Sequence, residues 1–111
     1  MAVSESLHKQ VMTKLRITWD DPNTNAQVDE IIIPSAEAAI RSKVGIPESA
    51  GFEFGGQGAE AETLLLLAHC YYQWNDAEDE FDGNYRHEIA QARAKWEVYQ
   101  HAEGQEAPSD V

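Results

Sequence analysis

Glu60 to Phe81, EAETLLLLAHCYYQWNDAEDEF, decides the fold, because it holds the only apolar run in the chain long enough to nucleate a core. Neither Gly nor Pro interrupts it. Leu66, Cys70, Trp74, Ala77 and Phe81 recur at the spacing that keeps one side of a helix facing inward. A second stripe, Leu64, Leu67, Ala68, Tyr71 and Asn75, runs beside the first, and Leu65 and Tyr72 lie off both. Between Leu64 and Tyr72 almost no side of this helix is polar, and a helix apolar all round must be covered all round. Either it takes the central place in a small bundle, or a second subunit supplies part of the cover. Leu65 and Tyr72 stand two turns apart on one side, which makes them candidate subunit-interface residues.

Working outward, Asp82-Gly83-Asn84 is the expected stop of this helix. A last helix is predicted from about Tyr85 to His101, with Tyr85, Ile89, Ala92, Trp96 and Tyr99 forming a narrow apolar seam. Residues 102–111, rich in Glu, Gly, Pro, Ser and Asp, read as a flexible acidic tail beyond a helical domain of residues 1–101. On the other side, Ile46 to Gly58 is rich in glycine and carries Phe52 and Phe54. It reads as a mobile loop facing a neighbouring subunit or a channel lumen, or as a spacer whose rings fold back on the core. Before it, Thr24 and Gln27 have the spacing of a capping box, so a helix should start near Asn25 and end at Gly45. Pro34 inside it removes a backbone donor, which predicts a kink near Ile33 or two helices separated there. Ser4 or Ser6 caps a first helix carrying Leu7, Val11, Met12 and Leu15 and ending near Arg16 or Ile17. The fold class is all-α: a small bundle of four main helices with a Gly-rich loop between the second and third.

A chain of 111 residues makes one domain. Its net charge of -12, from 20 acidic and 8 basic residues, argues against binding a phosphate backbone, which needs clustered cations. An acidic wall does suit a channel in which DNA must slide. The lone Cys70 cannot form an internal disulfide. Met1 to Gln10 lacks the apolar segment of a signal peptide, and the Leu64 to Leu67 run is far below the roughly 20 apolar residues of a membrane span. A soluble protein made in the cytoplasm is expected, with no membrane association.

Sites for chemistry are poorly supported. The acidic run from Asp76 to Asp82 resembles a calcium loop, but with Gly83 at the sixth position Ile89 falls where a bidentate Glu is required. His69, Cys70, His87 and His101 show no CxxC or HxxxH pair, so no metal site is expected. Cys70 in an apolar helix reads as a core thiol and not a nucleophile. No cofactor motif and no catalytic residue is assigned. The rings of Tyr71, Tyr72, Trp74, Tyr85, Trp96 and Tyr99 fit either the core of a helical hairpin or the anchors of a protein interface.

The order of these motifs resembles the head-tail connector, or head-completion adaptor, proteins of tailed bacteriophages. The resemblance is carried by Leu15-Arg16-Ile17 before Asp20-Asp21, by a capped helix ending in Val44-Gly45-Ile46, and by the run Leu64 to Ala77 closing on Phe81 and Asn84-Tyr85. It covers about residues 5 to 101. It implies a virion protein of the neck that forms a homo-oligomeric ring, commonly of twelve copies, docked beneath the portal. The ring extends the channel through which DNA passes without specific binding, and it receives a downstream neck or tail-completion protein. On that basis Trp96, Tyr99 and His101 are expected to meet the portal, and Leu65, Tyr72, Phe52 and Phe54 a neighbouring subunit. The charge suits a second class of function, an acidic DNA mimic that inhibits a DNA-binding protein. A small enzyme using Cys70 or the acidic cluster has no supporting spacing.

Overall fold

A computed structural model describes residues 4–106, with side chains for all of these except Ser49 and residues 101–106. Among the described residues the chain is all-α. Helix α1 (Glu5–Lys14) starts at Ser4, whose hydroxyl accepts the Leu7 N–H. It ends with Arg16 in the left-handed conformation (φ 61°), so that the Ile17 N–H reaches back to the Met12 carbonyl. Helices α3 (Ile33–Val44) and α4 (Glu60–Trp74) close the same way, through Gly45 (φ 76°) and Asp76 (φ 56°). The Ile46 N–H bonds the Arg41 carbonyl and the Ala77 N–H bonds the Tyr72 carbonyl.

Helix α2 (Pro22–Gln27) begins three residues before the expected start. Asp21, not Thr24, is the cap: its Oδ2 accepts both the Thr24 N–H at 2.9 Å and the Thr24 hydroxyl at 3.1 Å, and Pro22 fills the first turn, where no donor is needed. The distortion demanded by Pro34 takes the form of a π turn, Val28–Ile32, in which the Ile33 N–H bonds the Val28 carbonyl. The wider turn shifts the hydrogen-bond register ahead of the proline, and α2, the π turn and α3 run on without a break.

The quoted stretch is not one helix. It stops at Trp74 because the Asn75 side chain bonds the Tyr71 carbonyl at 2.8 Å and Asp76 tolerates positive φ. After a 3₁₀ turn at Glu78–Glu80, helix α5 (Phe81–Asn84) contains Gly83, so the expected stop lies within a helix. Helix α6 (Arg86–Glu106) then runs past His101, and residues 107–111 of the expected tail lie outside the described residues.

One core collects the inward stripes. Leu7 and Val11 come from α1 and Leu15 from the residue that ends it, Val28 and Ile32 from the π turn, and Ile33, Ala36, Ile40 and Val44 from α3. Leu65, Leu66, Ala68 and Cys70 of α4 meet them, with Phe81 of α5 and Ile89, Ala92 and Trp96 of α6. Arg93 and Gln100 hold α6 to the end of α3. The Arg93 guanidinium donates to the Lys43 carbonyl at 3.0 and 2.7 Å, and the Gln100 amide to the Gly45 carbonyl at 3.0 Å. These carbonyls are the unpaired acceptors of a helix end, so α6 supplies partners that α3 lacks.

Candidate protein interface

The Gly-rich loop is folded back on the subunit. The Thr63 hydroxyl of α4 accepts the Gly55 N–H at 2.8 Å, and the Arg41 guanidinium donates to the Phe52 carbonyl at 2.9 Å while lying 5.7 Å from both the Phe52 and Phe54 rings. Phe52 packs edge-on against Phe54 at 5.0 Å and against Trp96 at 5.4 Å. Phe54 is buried and Phe52 half-buried, which corrects their reading as rings left bare for a neighbouring subunit. A cation, a hydroxyl and an indole from three helices hold the loop, which its composition alone made look mobile.

Trp96, expected at the portal, is likewise a core residue, 7% exposed. Its indole N–H donates at 2.8 Å to Oε2 of Glu62, a carboxylate buried in the first turns of α4. Lys95 reaches the same oxygen at 2.5 Å. Burial raises the Glu62 pKa, but the bonds from Lys95, from its own backbone N–H and from Trp96 outweigh it and hold the group ionised below the usual carboxylate range. Sequence reasoning missed Glu62, because nothing local distinguishes it from Glu60. Of the other two residues expected at the portal, Tyr99 lies at the surface, 38% exposed and 5.2 Å from the Trp96 ring. The His101 side chain lies outside the described residues.

Leu65 is 3% exposed and Tyr72 half-buried, so the two positions thought spare are covered within the subunit. For Tyr72 the break after Trp74 is the reason: it turns Phe81 and Tyr85 back over that end of α4. Tyr72 meets both rings at 5.8 Å, and its hydroxyl accepts the Asn84 amide at 2.9 Å. His69 packs on Phe81 at 4.8 Å, and burial lowers its pKa, which keeps the ring neutral at pH 7. Burial pushes the Cys70 thiol up to about 12, so it stays protonated. No group of three His, Cys, Asp or Glu side chains among the described residues could hold a metal ion, and no described helix is long and apolar enough to cross a membrane.

Apolar side chains remain exposed at Trp19, Ile31, Val98 and Tyr99 and along one stripe of α4. Leu64 is 66% exposed, with half-buried Leu67 and exposed Tyr71 at i+3 and i+7 on the same side. Lys14 of α1 stands over the Tyr71 ring at 5.6 Å, and Lys9, Thr13, Lys14 and Leu67 line a shallow depression of about 380 Å³. Ile31, 61% exposed on the π turn, stands instead among mainly polar groups. There Ile31, Gln73, Trp74, Asp76 and Glu78 line a depression of about 440 Å³. No family model, curated protein or solved structure matches the chain.

Proposed function

We propose that the chain is a structural head-tail connector. It would dock as a ring of identical subunits under a phage portal, extend the DNA channel and offer the attachment point for the next neck or tail protein. The observation that carries the reading is the exposed stripe Leu64, Leu67 and Tyr71. It lies on the helix whose sequence resembles the connector family, and it stays at the surface of the folded subunit, with Leu64 66% and Tyr71 39% exposed. Such a stripe on a chain of net charge -12 fits a protein whose work is to be covered by protein, and an acidic body fits a channel wall that does not hold DNA. Tyr99 is the described member of the expected portal set that is at the surface. The place of action in this reading is the virion neck, reached after synthesis in the host cytoplasm. The test is to mix the purified protein with a portal protein from the same genome, then read mass by light scattering and symmetry by electron microscopy. A ring stacked on the portal is the expected result. A monomer that ignores the portal at every concentration refutes the reading.

A further inference from the structure

We infer that the cleft between α4 and α6 is a binding site for an uncharged aromatic molecule carrying one N–H or O–H donor, and that the free oxygen of Glu62 receives that donor. Glu62 is fully buried, and other residues use only one of its two carboxylate oxygens. The Trp96 indole and Lys95 both bond Oε2, whereas no other residue donates to Oε1. Buried polar atoms nearly always have partners, because an unpaired one costs its desolvation in full. A carboxylate with open lone pairs inside the fold is therefore where a donor from outside the chain gains most.

The space beside Glu62 has the size and lining of a ligand cleft. Leu64, Leu65 and Ala68 of α4 form one wall and Ala92 of α6 part of the other, around a depression of about 440 Å³ that Glu62 and Lys95 also line. An apolar cavity of about 150 Å³ accepts benzene, and small-molecule clefts begin near 300 Å³. Ala68 and Ala92 are small, so they leave open what longer side chains would fill. The charges cancel: Lys14 and Glu88 are one of each sign, and Lys95 balances Glu62. The cleft thus selects neither cation nor anion and offers apolar walls with one strong acceptor. The Trp96 indole N–H, 2.8 Å from Oε2, shows that an aromatic donor suits this carboxylate. The Lys95 side chain, 49% exposed, is the member of the cluster with room to move as a ligand enters. The site needs no portal and no second copy, so it stands or falls apart from the connector reading.

Indole and benzothiophene test this on the wild-type protein, since the two have nearly the same shape and only indole has a donor. Titrations followed through the methyl signals of Leu65, Ala68 and Ala92 should show saturable binding of indole with a Kd of about 1 mM or lower. Benzothiophene should bind roughly tenfold more weakly, for want of the bond to a charged acceptor. Ala61→Phe adds bulk at the exposed rim of the cleft and should abolish indole binding. Val98→Phe adds bulk at an exposed position of α6 outside the cleft and should leave binding unchanged. Melting curves check that both variants fold, and the comparison of the two compounds needs neither. Equal affinity for indole and benzothiophene would overturn the inference, because Oε1 would then be satisfied by water and the cleft would be only an apolar crease. So would shifts that fail to saturate, or a folded Ala61→Phe variant that binds indole as the wild type does.

Discussion

Replacing Trp96 by Phe separates a core brace from a docking residue. The substitution keeps an aromatic ring against Phe52 and Tyr99 and removes the indole N–H that bonds buried Glu62 at 2.8 Å. A hydrogen bond to a charged group contributes about 1.5–3 kcal/mol, and the carboxylate left behind has no water to replace the donor. At about 4 °C per kcal/mol for a domain near this size, the midpoint should fall by about 6–12 °C at pH 7. The effect should depend on pH with a definite sign. Glu62 has its folded pKa below the unfolded value, so the stability it contributes is present above about pH 4.3 and is lost as pH falls through the folded pKa. Wild type and variant should therefore converge in acid. Glu62→Gln combined with Trp96→Phe should cost less than the two single losses added together, since both act on one bond. Thermal melts at several pH values, with portal pull-down below the lower midpoint, measure all of this. An unchanged midpoint together with lost portal binding would show that Trp96 acts at a partner and that its burial in the subunit is not what matters.

Leu65→Ala should destabilise the isolated subunit by about 2–5 kcal/mol, and Leu64→Ala by no more than about 0.5 kcal/mol, with the larger effect of Leu64→Ala appearing in association measured by sedimentation. Arg16→Gly should raise the melting midpoint: a left-handed backbone at an L-residue costs about 1–2 kcal/mol, of which added freedom in the unfolded chain takes back about 0.5–1 kcal/mol. His69 is held neutral by burial, so the unfolded chain binds its proton more readily; stability should decline as pH falls below about 6.5, and His69→Leu should flatten that slope in melts between about pH 7 and pH 5.

The helices were legible because their signals are local: apolar residues at helical spacing, Ser4 before the first turn, and Gly45 where a left-handed residue is needed. What the sequence hid depends on contacts far along the chain. Glu62 and Glu60 look alike until Trp96, 34 residues away, donates to one of them. The central helix is apolar on so many sides that periodicity alone could not say which stripe faces out. Part of that was settled by the turn at Asn75 to Ala77, which folds Phe81 and Tyr85 over Tyr72, while Leu64 and Tyr71 stay exposed. Asn and Asp at that point are equally at home on a solvated helix end, so the break carried no unambiguous mark. Pro34 announced a distortion but not its place, because a π turn upstream meets the same steric demand as a kink. Phe52 and Phe54 were ambiguous for a related reason: glycine-rich composition says that a loop can move, and Arg41 and Thr63 decide that this one is held.

Salt should distinguish a self-assembling connector from an acidic inhibitor of a DNA-binding protein, because the two respond with opposite signs. Two copies of net charge -12 with centres about 30 Å apart, close to the 29 Å middle dimension of the subunit, repel by about 20 kcal/mol in water without ions. A Debye length of about 10 Å at 0.1 M reduces this to about 1 kcal/mol, whereas about 30 Å at 0.01 M leaves about 7 kcal/mol. Any exposed ion pair across such a contact is screened too, but exposed pairs contribute only about 0.2–1 kcal/mol each, less than the repulsion removed. Apolar burial is not weakened over this range, so association of copies should strengthen as salt rises from about 0.01 M to about 0.15 M. A DNA mimic binds a basic partner by the charges that salt screens, so its affinity should fall over the same range. Sedimentation of the protein alone across that series decides the sign. Self-association that weakens steadily with salt would mean that charge attraction holds the copies together, and the apolar stripe of α4 would lose its role as the contact.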